Sequence, residues 1–169
     1  MKSGIAVLAL LGASLVGTQA NAQIYVIQQQ AAAYTPLSGT GVVTGTLVAR
    51  SSFTADDEGY FDIPLGFSFP LYGVNYTQVH VDSNGFLMFH NGAPTDCRSG
   101  FSCYSGSKIP STTRVPHAVI APWWTDMSGN RATSAIRYKV GVGEVDVEWV
   151  DWHDYTSSGS TPDFIFNVK

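Results

Sequence analysis

Apolar and polar residues alternate with a period of two along much of this chain, the repeat of a strand with one buried face. In residues 78–83, Val79 and Val81 alternate with His80 and Asp82, and Asn84-Gly85 separates them from the apolar run Phe86-Leu87-Met88-Phe89. Asn-Gly between two such runs predicts a hairpin, with both residues at positive φ in a type I′ turn. Upstream, Phe61, Ile63, Leu65, Phe67 and Phe69 mark apolar positions, interrupted by Pro64 and Pro70. Those prolines suit strand ends or edges and argue against one long central strand. Farther on, Ile136, Tyr138 and Val140 alternate with Arg137 and Lys139. After Gly141-Val142-Gly143, Val145, Val147 and Trp149 alternate with Glu144, Asp146 and Glu148. This predicts a second hairpin whose solvated face pairs cations with carboxylates across strands. The phase slips at Val150 and Trp152, as a β-bulge near Trp149-Val150 would make it. Residues 39–50 carry a first core strand, residues 115–122 a short apolar one, and Phe164, Phe166 and Val168 share a face of the last. The pattern predicts an all-β antiparallel sandwich of short strands and long polar loops.

The N-terminus reads differently. Lys2, an apolar run over residues 5–16 and Ala20-Asn21-Ala22 have the order of a secretory signal peptide over residues 1–22. The run is too short to span a bilayer, so export without stable membrane insertion after cleavage is expected. Residues 23–38 read as a leader or linker, with Ile24 and Val26 as a candidate first strand, and residues 39–169 as the sandwich domain. The net charge of −4 becomes one unit more negative once Lys2 is removed. With no basic patch, nucleic acid is not an expected partner. Only 13% of residues are charged, and 17 glycines, 8 prolines and 12% aromatics fit a turn-rich exported β protein.

Few residues then stand out as chemistry. Asp56, Asp57 and Glu58 form an acidic turn that fits either a calcium site or a solvated loop, without the alternating spacing of an EF-hand. Cys97 and Cys103, the only cysteines, read as a disulfide in an exported chain. It would stiffen a loop carrying Arg98, Phe101 and Tyr104, which serves either as a binding surface or as a protease-resistant staple. Trp123 and Trp124 divide between core packing, favoured for at least one, and stacking on a sugar. Asp126 is expected to hold the turn at Ser128-Gly129-Asn130. Asp151, His153 and Asp154 read as surface neighbours on an exposed segment, and His80, His90 and His117 as scattered. A carboxylate row such as Glu144, Asp146 and Glu148 is better explained by solvation than by glycosidase chemistry. No nucleophile elbow, zinc-protease helix or phosphate loop is present in the sequence, and no catalytic residue is assigned.

Two segments carry a family resemblance. Ile63-Pro64-Leu65-Gly66-Phe67-Ser68-Phe69-Pro70-Leu71-Tyr72-Gly73, Tyr76 and Ser83-Asn84-Gly85-Phe86-Leu87-Met88-Phe89 resemble the opening of nidogen-like (NIDO) domains. Ala121-Pro122-Trp123-Trp124-Thr125-Asp126 is similar to a later motif of the same family, and the resemblance spans roughly residues 55–169. It implies an extracellular all-β module that binds protein or glycan at or near a cell surface and supplies no catalytic residues. It also implies further strands beyond Lys169. Two other readings stand beside adhesion: an accessory domain of an exported hydrolase, and a lectin-like module using its aromatics.

Overall fold

The computed structural model describes residues 34–50, 53–92 and 118–156, together with the backbone of residues 164–168. Among these residues, ten strands form two antiparallel sheets. The first sheet runs in the order β1 (Val43–Thr44), β8 (Ala135–Val140), β9 (Val145–Asp154), β10 (Phe164–Val168), and β7 (Met127–Ser128) also pairs with β9. The second runs β2 (Val48–Ala49), β3 (Gly59–Leu71), β4 (Val74–Asp82), β5 (Leu87–His90), β6 (Val119–Ile120). The expected single strand over residues 39–50 is therefore two short ones that cross from one sheet to the other. Gly45 allows the crossing, since a Cβ there would lie 2.2 Å from the Phe61 ring.

One core joins the sheets. Ile63, Leu65, Val79, Val81 and Leu87 from the second sheet meet Ile136, Val147 and Trp149 from the first. The Trp149 indole N–H reaches across to the Asp82 carbonyl at 3.0 Å, satisfying its single donor inside the core. This is the sandwich that the period-two pattern predicts.

The strands are not all short. β3 has 13 residues and includes both Pro64 and Pro70. Among the described residues β2 pairs only with Tyr60 and Gly59 of β3, so neither proline falls opposite β2, where a proline would leave a ladder hydrogen bond unmade. Both prolines are exposed, Gly66 takes a φ of 72°, and the β3–β4 register shifts between Pro64 and Phe69. The bulge expected near Trp149-Val150 is present. Asp151 has a φ of 56°, and opposite it the β9–β10 register shifts between Phe164 and Phe166.

The β8–β9 hairpin pairs Arg137 with Glu148 and Lys139 with Asp146, as alternation predicts. Glu148, however, is fully buried rather than solvated. Residues 34–37 lie over it: the Tyr34 hydroxyl and the Leu37 amide, at 3.0 Å, donate to its carboxylate, and Arg137 pairs with it at 2.6 Å. Burial, then the Glu148 carboxylate, pushes the Tyr34 phenol up to about 12.

Candidate functional site

The β4–β5 turn is where the site begins. Its Gly85 amide donates to the Asp82 carbonyl at 3.2 Å, and Gly85 alone among the turn residues takes positive φ, 78°. The turn is thus a three-residue loop ending in a left-handed glycine, not the type I′ turn that Asn-Gly predicts. This geometry turns Asn84 inward, where it is fully buried. Its side chain donates to Glu58 at 3.1 Å and accepts from the Met127 amide at 2.9 Å. The Thr125 and Trp123 amides donate to the Asn84 and Gly85 carbonyls, each at 3.3 Å. Ser83 donates to the Asp57 carbonyl at 2.6 Å and accepts from the Gly59 amide at 3.0 Å. The Ser83-Asn84-Gly85 turn therefore pins both the acidic turn and the Trp123–Met127 segment, so the two motifs that carry the resemblance touch.

Behind this turn lies a buried ionic network on the face of β4 that alternation assigns to solvent. Arg50, Glu58, His80 and Asp82 are all buried. Arg50 bridges Glu58 at 2.8 Å and Asp82 in closer contact. His80 donates its Nδ1–H to the Asp62 carboxylate at 2.9 Å and stacks on Tyr60 at 4.8 Å. Burial alone would push His80 down, but hydrogen bonds to Asp62 and Asp82 and their charges outweigh it and hold the imidazole above its ordinary value. His90 also approaches Asp62, at 3.6 Å, so two histidines that look scattered in sequence share one carboxylate. His117 lies outside the described residues.

The acidic turn, open in sequence between a calcium site and a solvated loop, gains a partner from elsewhere in the chain. Asp57 and Glu58 converge with Asp126, their carboxylate oxygens within 4.8 Å of one another, while Asp56 is not in the group. Asp56 instead accepts the Gly129 amide on its carbonyl, at 2.6 Å. Burial, then the neighbouring Asp56 charge, raises Asp57; burial, then Asp57 and Asp154, raises Asp126. Glu58 is raised by burial despite its bonds to Asn84 and Arg50. The three supply hard oxygen donors of the kind calcium takes, though fewer than the six to eight of a full shell. Asp126 therefore faces other carboxylates, and the segment it was expected to hold as a turn begins as strand β7. Its carbonyl accepts the Tyr155 amide at 3.0 Å.

Beside this group the two tryptophans part. Trp124 turns onto Phe86, ring centres 4.7 Å apart, in a small apolar cluster with Met88. Trp123 remains 48% exposed. With Trp124, Thr125 and Asp154 it lines an open notch of about 340 Å³. Asp154 is held by the Thr156 amide at 2.9 Å and hydroxyl at 2.5 Å, which keeps its carboxyl below the usual range. The Asp151, His153 and Asp154 neighbours take different surroundings, though the His153 charge helps lower both carboxyls. Asp151 anchors Arg131 at 2.7 Å and Thr133, Asp154 faces the notch, and His153 is buried rather than exposed. A second cavity of about 320 Å³ lies near Phe67, Phe89 and Ile120, and Glu144 is the one charged side chain that lines it among the described residues. Cys97, Arg98, Phe101, Cys103 and Tyr104 lie outside the described residues, as do residues 1–22.

A two-sheet antiparallel sandwich whose turn motif clamps an exposed tryptophan is the architecture these observations define. A family model described as NIDO related matches residues 24–169. The chain belongs to that family, which is generally extracellular. No curated protein and no solved structure matches it.

Proposed function

We propose that this protein is a secreted, non-catalytic interaction domain that binds protein or glycan outside the cell, through the notch at Trp123. The observation that carries this reading is the tryptophan itself. The Trp123 and Thr125 amides tie the backbone to Gly85 and Asn84, and from that mount the Trp123 indole stands half in water while its neighbour Trp124 takes the inward position. An aromatic fixed in that way offers contact area at little entropic cost, which is what recurs at binding surfaces. Family membership supports the extracellular setting, and the signal-like sequence over residues 1–22 supports export.

The test is capture of matrix proteins and surface glycans by the immobilised full chain. Trp123→Ala is compared with Val142→Ala, which changes a fully exposed residue at the opposite end of β9. Retention by the wild type and by V142A, with loss in a folded W123A, is the expected result. Equal retention by all three would remove the notch from the account.

A further inference from the structure

The geometry points to a carbohydrate site at the notch, in which one neutral pyranose ring lies on the Trp123 indole with its hydroxyls directed to Thr125 and Asp154. This inference rests on the interaction reading above and narrows it to a ligand class. Three features carry it. A sugar ring presents an apolar C–H face and a polar rim, so it needs an exposed aromatic plane with hydrogen-bonding groups at its edge. Trp123 supplies the plane, and the cavity lining supplies a hydroxyl and a carboxylate beside it. The volume, about 340 Å³, falls at the lower end of the roughly 300–1,000 Å³ range of small-ligand sites. It suits one or two sugar units, whereas a stable protein interface needs about 800 Å² from each partner.

The third feature is rigidity. Asp154 is fixed by two bonds from Thr156, and the backbone of residues 123–127 is fixed by bonds to Asn84 and Gly85. Sugar hydroxyls exchange protein for water at almost no net gain unless their partners are already in place, so a preorganised edge is what makes such a site bind. Charge then sets the class of sugar. Asp57 and Asp126 gather with Glu58, their carboxylate oxygens within 4.8 Å of one another, and the Asp154 charge reaches Asp126, while Arg50, the cation at this cluster among the described residues, is committed to Glu58 and Asp82. Uronic and sialic acids would bring a further negative charge to this neighbourhood, so neutral sugars are selected.

The experiment is saturation-transfer NMR and calorimetry on the full chain. The probes are methyl glycosides of glucose, galactose, mannose and N-acetylglucosamine, with glucuronic and sialic acid glycosides as charged counterparts. Saturable binding of at least one neutral glycoside is expected, with weaker binding of both acidic ones. Trp123→Ala should lower the affinity about tenfold, the scale of one aromatic contact. Trp123→Tyr should restore part of it, and Asp154→Asn should lower it severalfold, with circular dichroism confirming that each variant is folded. Absence of binding by every neutral glycoside, tighter binding of the acidic ones, or binding indifferent to W123A would overturn the inference. If no glycoside binds while Trp123-dependent capture of a matrix protein persists, the carbohydrate assignment fails and the interaction reading survives. If capture is also indifferent to Trp123, both fail.

Discussion

His80 is buried between Asp62 and Asp82, and its imidazole is held above the ordinary value near 6.5. A group whose folded pKa is raised adds stability that is complete below its unfolded pKa and is lost as pH rises through the folded one. The protein should therefore lose melting temperature as pH rises above about 6.5, and His80→Gln should flatten that decline. Thermal melts of both proteins between pH 6 and 9 check this, and equal slopes would contradict it. The raised Asp57, Glu58 and Asp126 carboxyls act with the same sign in a lower window, starting from the ordinary carboxylate range. Asp151 and Asp154 act oppositely, since their lowered carboxyls give stability that is lost on acidification. None of this was visible in the alternation of Val79 and Val81 with His80 and Asp82. Period-two patterning assumes water on the polar face, whereas Arg50, about thirty residues upstream, closes that face with a second layer of charge.

At the scale of elements, the β4–β5 turn sets where the Trp123 segment lies. A Cβ on Gly85 would come 2.3 Å from the Trp123 carbonyl and 2.8 Å from the Met127 methyl, at a φ of 78°. Gly73 also has positive φ, 79°, but a Cβ there meets nothing within 4 Å. Gly73→Ala should then cost only left-handed backbone strain, on the order of 1 kcal/mol. Gly85→Ala should cost clearly more and shift tryptophan emission, because the clamp on residues 123–127 must move. Urea denaturation followed by fluorescence separates the two variants, and equal costs would show that the turn does not hold the segment. The hairpins, the bulge at Asp151 and the sandwich were legible because each follows from local alternation and turn chemistry. The inward Asn84, the length of β3 and the burial of Glu148 were not. Each depends on a distant segment: residues 123–127, the short reach of β2, and residues 34–37 respectively.

For the whole molecule, the sandwich acts as a rigid mount. Its core holds Trp149 and Trp152 almost completely buried and leaves Trp123 at the surface. The acidic turn was legible as a carboxylate cluster but not in its membership, because Asp126 comes to it from the other side of the β4–β5 turn. That division among the four tryptophans offers the most direct test of the central claim. The full chain is labelled with 5-fluorotryptophan, its resonances are assigned by single Trp→Phe variants, and fluorine NMR is followed as captured matrix protein or methyl glycoside is added. The Trp123 resonance is expected to move to saturation while those of Trp149 and Trp152 stay in place. Binding that leaves the Trp123 resonance unmoved would contradict it.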